Sequence, residues 1–254
     1  MTEKKNQTPY PKPGQSGGVL MRALVKSFRD AKIKIPITSH IQIAVSGGAD
    51  SIALALALLK YGRRVVGRDL IILSHFNHGW RGSESDQDAL FVEAFAKTQD
   101  AQFRLGKMPT DEAKDSERTS REEKARTARY GFLKSVAATE SCALTLTAHH
   151  LEDQVETLVW RLFTGDFLKL PEGIRVRHEG IFRPLLVIEP STLREFLKEE
   201  GQEWREDSSN LDTKYLRNAL RANVLPEIRK LYPSADRAIL ELSRKIKALK
   251  HSIR

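Results

Sequence analysis

The chain has 254 residues, a formal charge of +9 and 40% hydrophobic residues, with a pI near 9.6; this suits one α/β domain with a small appendage, or two small domains. Its single cysteine, Cys142, excludes an intramolecular disulfide, a C-x-x-C redox pair and a cysteine-rich metal site. No apolar run reaches the roughly eighteen residues of a membrane helix, and Met1–Gln7 leads into no apolar segment, so neither a membrane span nor a secretory signal is expected and a cytoplasmic location is. The basic balance fits a solvated lysine-rich surface or a nucleic-acid partner equally well.

In chain order, residues 1–18 begin polar and pass through Pro9, Pro11, Pro13, Gly14, Gly17 and Gly18, which predicts a disordered tail. Helical spacing of apolar residues sets in at Val19 and runs to Phe28. Ile41–Val45 is a short apolar strand that ends in Ser46-Gly47-Gly48-Ala49-Asp50-Ser51, and a helix from Ser51 to Tyr61 follows, closed by Gly62. Leu70–Leu73 predicts a second strand, Glu84–Thr98 a helix, and Ala101–Leu105 a third strand. Ser120, with Glu123 three residues on, predicts a capping box for a helix running to about Thr139. Ala143–Thr147 is a fourth strand, followed by a helix over Leu151–Phe163. This alternation predicts an α/β fold with a mostly parallel sheet and helices on both faces.

After Gly165 the pattern changes. A loop with Pro171, Gly173 and Gly180 leads to Phe182-Arg183-Pro184-Leu185-Leu186. Helices are expected over Ser191–Glu200, Asp212–Asn223 and Ser234–Ser252. The last carries Ile239, Leu242, Ile246, Leu249 and Ile253 in three-four spacing, a stripe expected to pack on its own domain.

Strand, Ser46-Gly47-Gly48-Ala49-Asp50-Ser51, helix is a phosphate-binding order. Gly47 and Gly48 let the backbone approach an anion and tolerate positive φ. Amides at the helix start point at that anion, and the helix dipole adds about 0.3–1 kcal/mol per charge at an exposed site. Ser46 and Ser51 add hydroxyl donors. Asp50 repels phosphate, so its natural role is to hold Mg²⁺ against it. The plain alternative is a tight turn with Asp50 or Ser51 as N-cap. The loop is not a Walker A sequence. It resembles the S-G-G-x-D-S loop of the ATP-pyrophosphatase (PP-loop) superfamily. That resemblance implies a doubly wound sheet of the adenine nucleotide alpha hydrolase-like kind, ATP at the carboxyl ends of the strands, and cleavage between its α and β phosphates.

Further segments narrow the resemblance. His75-Phe76-Asn77-His78-Gly79-Trp80-Arg81 follows the second strand, Ala125-Arg126 and Arg129-Tyr130 lie in the long helix, and Thr147-Ala148-His149-His150-Leu151-Glu152-Asp153-Gln154-Val155-Glu156-Thr157 follows the fourth strand. Asp207-Ser208-Ser209-Asn210 precedes Tyr215-Leu216-Arg217-Asn218-Ala219-Leu220-Arg221 and Val224-Leu225-Pro226. Together these are similar to the tRNA(Ile)-lysidine synthetase family over roughly residues 20–235. The resemblance implies ligation of free lysine to C2 of the wobble cytidine in isoleucine tRNA with a CAU anticodon, through an adenylated intermediate. A tRNA thiolase of the same superfamily is the alternative, and the lone Cys142 speaks against it.

His149, Asp153 and Glu156 fall at i, i+4 and i+7, which predicts a shared helical face beside the phosphate loop. An amino-acid substrate needs carboxylates for its ammonium groups, which Asp153 and Glu156 can supply, and an arginine for its carboxylate, which Arg126 or Arg129 can supply. Asp50, His149, Asp153 and Glu156 are the candidate catalytic set, with Asp50 as metal ligand. His75 and His78 are open between site and core roles. Arg217, Asn218 and Arg221 are candidate RNA contacts; Arg244-Lys245-Lys247-Lys250 reads as a solvated face. The expected organisation is a tail at 1–18, a PP-loop ATP-binding catalytic domain at 19–211 and a helical RNA-contacting extension at 212–254. The sequence admits a homodimer without requiring one. Three departures from the family pattern stand out: bulky Asp166 and Phe167 after the histidine helix, Trp80 where an aliphatic residue is common, and an end soon after the catalytic core, where longer members carry RNA-recognition domains.

Overall fold

The computed structural model describes residues 11–12, 14–36, 39–62, 70–108, 118–166, 169, 172–206 and 216–252. β1 (His40–Ala44) is the centre of the sheet. β2 (Ile71–Asn77) pairs with it on one side and β4 (Cys142–Leu146) on the other, both parallel, with Ile41 opposite Ile71 and Leu144. β3 (Gln102–Lys107) extends the sheet beyond β2, and the short β6 (Ile181–Phe182) extends it beyond β4. β5 (Arg177–His178) closes that edge antiparallel to β6, giving the order β3-β2-β1-β4-β6-β5 among the described residues. The chain therefore runs outward through β1, β2 and β3, then returns to β4 on the other side of β1. That reversal is a topological switch point, and it opens a crevice at the carboxyl ends of β1 and β4.

Alternation along the strands sorts the two faces. Ile41, Ile43, Ile71, Leu73, Leu144, Leu146 and Phe182 join one buried cluster with α1 (Ser16–Asp30), α2 (Ala49–Tyr61), α3 (Ser83–Thr98) and α6 (Pro190–Glu199). Between Ile52 and Leu59 α2 is apolar and buried all round, because α1 and α6 cover the side turned away from the sheet. On the opposite face lies α4 (Arg118–Thr139), whose Phe132 ring stands 5.8 Å from Phe76 of β2. Between strands on this face, Thr145 donates to Gln42 at 2.7 Å and Gln42 donates to Ser74 at 2.9 Å, so the buried polar atoms satisfy one another. The doubly wound, mostly parallel α/β fold is thus as expected.

Several boundaries differ from expectation for identifiable reasons. The first helix starts at Ser16 rather than Val19 and takes Gly17 and Gly18 from the segment assigned to the tail. A Cβ on Gly17 would lie 3.1 Å from the Phe196 ring, so the glycine that suggested disorder is where α1 and α6 approach closely. Ser120 does not cap α4, which already begins at Arg118. The helix expected to end at Asn223 continues instead: α7 (Leu216–Ala219), a π turn over Leu220–Val224 and α8 (Leu225–Leu231) follow without a break. Pro226 has no N–H to donate four residues back, and the Leu225 N–H reaches Leu220 O five residues back, so the proline coincides with the wider turn. α9 (Ala235–Ser252) docks only at its start. Ile239 and Leu240 pack on Val155 and Val159 of α5 (Leu151–Phe163) with Leu220 and Leu225. Further along the expected stripe Leu242 and Leu249 are 54% and 60% exposed, and Ile253 lies outside the described residues. The Asp207–Asn210 segment, residues 212–215, Phe167 and residues 1–10 also lie outside them.

Candidate active site

β1 delivers the phosphate loop to the switch point. Gly47 adopts φ of +99°, which favours glycine, and its carbonyl accepts the Arg205 N–H at 2.9 Å. The N-cap of α2 is Gly48, with no side chain capping the helix; neither Asp50 nor Ser51 takes that role. Ser46 and Ser51 hydroxyls lie 3.1 Å apart, Ser51 Oγ donates to Gly48 O at 3.0 Å, and the Ser46 N–H donates to Ser51 Oγ at 3.1 Å. The serines thereby shape the loop, while no side-chain cap competes for the amides at the start of α2. Anion binding, rather than a plain capped turn, is what such a helix start offers.

Asp50 lies in the first turn of α2. Its Oδ2 is 3.4 Å from His150 Nε2, and its Oδ1 is buried with no hydrogen-bond partner among the described residues. A lone carboxylate oxygen beside a phosphate loop fits a cation that takes its remaining ligands from phosphates and water.

β4 delivers the histidines. Thr147 N–H donates to Phe182 O at 3.0 Å, which ties the end of β4 to β6, and the Thr147 hydroxyl lies 2.9 Å from His149 Nδ1. His149 precedes α5 rather than belonging to it, because the helix starts at Leu151 with His150 as N-cap. The expected single helical face is therefore corrected: Asp153 and Glu156 share the helix, and His149 joins them from the loop. Burial pushes His149 down to about 4; Asp153 opposes this, and the charges of Arg183, Arg129 and Arg126 add to it. Its imidazole is neutral at neutral pH.

Asp153 Oδ2 accepts the His150 N–H at 2.9 Å and lies 3.6 Å from His150 Nε2. Its Oδ1 accepts from Arg221 Nη2 at 3.1 Å, and Arg221 Nε donates to Glu156 Oε1. Glu156 is only 2% exposed, whereas the Arg221 side chain is 35% exposed. Arg221, expected as an RNA contact, thus lies against the two carboxylates expected to receive ammonium groups. The π turn of the C-terminal helices carries it there. Arg126 and Arg129 lie along α4 with guanidinium carbons 5.1 and 5.3 Å from the Tyr130 ring centroid. Asn218 is half-buried in α7, and the Arg217 side chain lies outside the described residues.

His75 is buried and donates Nδ1–H to Val45 O at 2.9 Å, so it braces the strand that ends in the phosphate loop; burial pushes its pKa down. His78 instead packs its ring 4.8 Å from Trp80. Three positions escaped the sequence reading. His150 lies 3.4 Å from Asp50 and 3.6 Å from Asp153; its i, i+3 spacing to Asp153 was the available signal. Arg205 closes over Gly47 and pairs with Asp88 at 3.0 Å, while Arg81 holds the other Asp88 oxygen at 2.5 Å. No local pattern announces a contact between segments so distant in sequence. Arg183 is buried at the end of β6, and an arginine inside Ile181–Leu186 was a visible anomaly.

Fold and site together define a doubly wound α/β protein with a phosphate-binding loop at its switch point. The PP-loop domain family matches residues 21–228, and the chain belongs to that family. Membership implies ATP as the nucleotide. The chain is similar to curated proteins named tRNA(Ile)-lysidine synthase: 36% identical to one from Persephonella marina, over 86% of this chain and 48% of that one. To one from Thermus thermophilus it is 36% identical over 85% and 41%, and to one from Geobacter sulfurreducens 37% over 77% and 41%. The chain spans about half the length of the curated relatives it matches. Among solved structures it resembles the U34-tRNA thiolase NcsA from Methanococcus maripaludis with its [4Fe-4S] cluster, at TM-score 0.68 and 15% identity, over 96% of this chain and 86% of that one. NMN synthetase from Francisella tularensis gives TM-score 0.52 and 14% identity, over 89% and 95%. At these identities the structural likeness speaks for the fold alone. No helix among the described residues is long and apolar enough to cross a membrane.

Proposed function

We propose that the chain ligates free lysine to C2 of the wobble cytidine of isoleucine tRNA with a CAU anticodon, consuming ATP and releasing AMP and pyrophosphate. One observation carries this reading. The phosphate-loop residue Asp50 and the carboxylate pair Asp153 and Glu156 are joined through His150 into one polar chain, and the pair already holds a cation, the Arg221 guanidinium. A site that accepts a guanidinium there accepts an ammonium group, within reach of an activated phosphate.

In this reading the cytidine O2 attacks the ATP α-phosphate and pyrophosphate leaves. Ser46, Ser51 and the amides at the start of α2 stabilise the departing charge. Mg²⁺, which Asp50 would hold, supplies neutralisation of the phosphates. The lysine amine then displaces AMP from C2. Free lysine titrates near 10.4, so presenting a neutral amine at pH 7 costs about 4–5 kcal/mol at about 1.36 kcal/mol per pH unit. A buried site next to a carboxylate base offsets this. Both carboxylates hold Arg221, and Asp153 is committed to the α5 cap as well, which suits it to positioning; the deeper Glu156 suits proton acceptance once the incoming ammonium takes the place of that guanidinium. Arg126 and Arg129 of α4 are among the cations available to the substrate carboxylate. Arg217 and Asn218 remain the candidate tRNA contacts, and the +9 charge supports an RNA partner.

A thiolase reading gains nothing from the site. Cys142 lies at the start of β4, at the sheet edge away from the phosphate loop, and burial pushes its thiol up to about 11. Asp153→Asn keeps a cap acceptor while removing the charge. It is expected to reduce lysine incorporation far more than AMP transfer to tRNA; equal loss of both steps contradicts a lysine-specific role.

A further inference from the structure

Arg183 follows Phe182 directly, and Phe182 pairs in register with Leu146 of β4. Its backbone therefore lies one residue beyond the last β4–β6 pair, at the carboxyl edge of the sheet and on the side of β4 away from β1. The residue is 7% exposed. Nη1 is anchored on Arg175 O at 2.9 Å, and the guanidinium charge acts on the Tyr130 phenol and lowers its pKa. Nε is buried and has no hydrogen-bond partner among the described residues, and Arg183 forms no ion pair with a carboxylate among them. Burial of a guanidinium without a counter-charge is unfavourable unless an anion completes the site. Arg126 and Arg129 pack on the same Tyr130 ring, so three cations converge on one phenol.

The anion-seeking end has an acidic counterpart. His149 is next to Thr147 and responds to Asp153 as well as to Arg183, Arg129 and Arg126. One imidazole thus lies within the field of both a carboxylate and three guanidiniums, a pairing of charges that matches a zwitterion: ammonium to the acids, carboxylate to the arginines.

We propose that Arg183 is the buried anchor for the α-carboxylate of the amino-acid substrate, with Arg129 and Arg126 at its outer rim. The proposal rests on the lysine-ligation reading. It assigns the carboxylate chiefly to a residue at the end of β6 rather than to α4. A carboxylate bound by a buried guanidinium is discriminated from a neutral amide, because a charge-assisted hydrogen bond of the usual strength corresponds to about a ten- to hundredfold preference.

The test compares lysine with lysinamide as acceptors of the adenylated tRNA, in the wild-type chain and in Arg183→Gln and Arg183→Lys. The wild type is expected to prefer lysine by about ten- to hundredfold in kcat/KM. Arg183→Gln is expected to raise the KM for lysine and bring the ratio close to one, with Arg183→Lys between the two. The ratio is internal to each enzyme, so a general loss of folding does not move it; should Arg183→Gln be insoluble, the Lys variant decides. A wild-type ratio that survives in the variants overturns the proposal, and a raised KM for ATP with an unchanged ratio would assign Arg183 to a phosphate instead. A wild type that uses neither amine overturns the lysine-ligation reading, and this assignment with it.

Discussion

Two adjacent imidazoles with opposite electrostatics stand at the centre of the site. Burial alone lowers His150 as it lowers His149, but the hydrogen bond to Asp50 and the charges of Asp153 and Asp50 outweigh it, so the His150 pKa is raised above 6.5. A raised folded-state pKa stabilises fully below pH 6.5 and ceases to do so as pH rises through the folded value. His149 has the reverse sign: its folded value of about 4 makes stability fall as pH drops from 6.5 toward 4. The gap, at about 1.36 kcal/mol per unit, amounts to about 3 kcal/mol. His150→Gln is accordingly expected to flatten the decline in urea-denaturation stability above pH 6.5, and His149→Asn to flatten the decline below it. Identical pH profiles for wild type and both variants contradict this assignment. At this scale Asp50, Asp153 and Glu156 were legible from spacing, because one helix and one loop set their positions. His150 was not, because its role depends on a carboxylate from another strand-helix unit. Arg183 was visible only as a charge in an apolar run.

Between elements, close approach decides more than propensity. A Cβ added to Gly106 of β3 would lie 2.6 Å from Phe132 Cδ2, so α4 can lie on the sheet only where the strand has no side chain. Gly106→Ala is expected to destabilise the fold by about 1–3 kcal/mol in urea denaturation. Gly106→Ala combined with Phe132→Leu should recover part of that loss; no recovery would mean that the clash is not the cause. The first four strands and the helices over Leu151–Phe163 and Ser191–Glu200 were readable from period and punctuation, whereas the two-residue β5 and β6 were too short to show a period. The π turn at Leu220–Val224 was not, because the apolar pattern hardly distinguishes it from α-helix and only Pro226 hinted at it. That turn matters, since it sets Arg221 against Glu156.

For the whole molecule, β-α alternation made the parallel sheet predictable, and the return from β3 to β4 explains why the phosphate loop and the histidine segment meet. The docking of α8 and α9 was less legible. The α9 stripe reads as one long packing face, yet only its beginning, at Ile239, meets the cluster of Val155, Val159, Leu220 and Leu225. Those contacts hold the start of α9 and the π turn against α5. The central claim is that ATP activation and amine capture occur in one crevice on one tRNA base. It is tested by incubating the chain with ATP, labelled lysine and isoleucine tRNA bearing a CAU anticodon, and measuring label retained on the tRNA. The account predicts ATP-dependent retention of lysine, with AMP and pyrophosphate released in equal amounts. ATP–pyrophosphate exchange without any lysine transfer would contradict it.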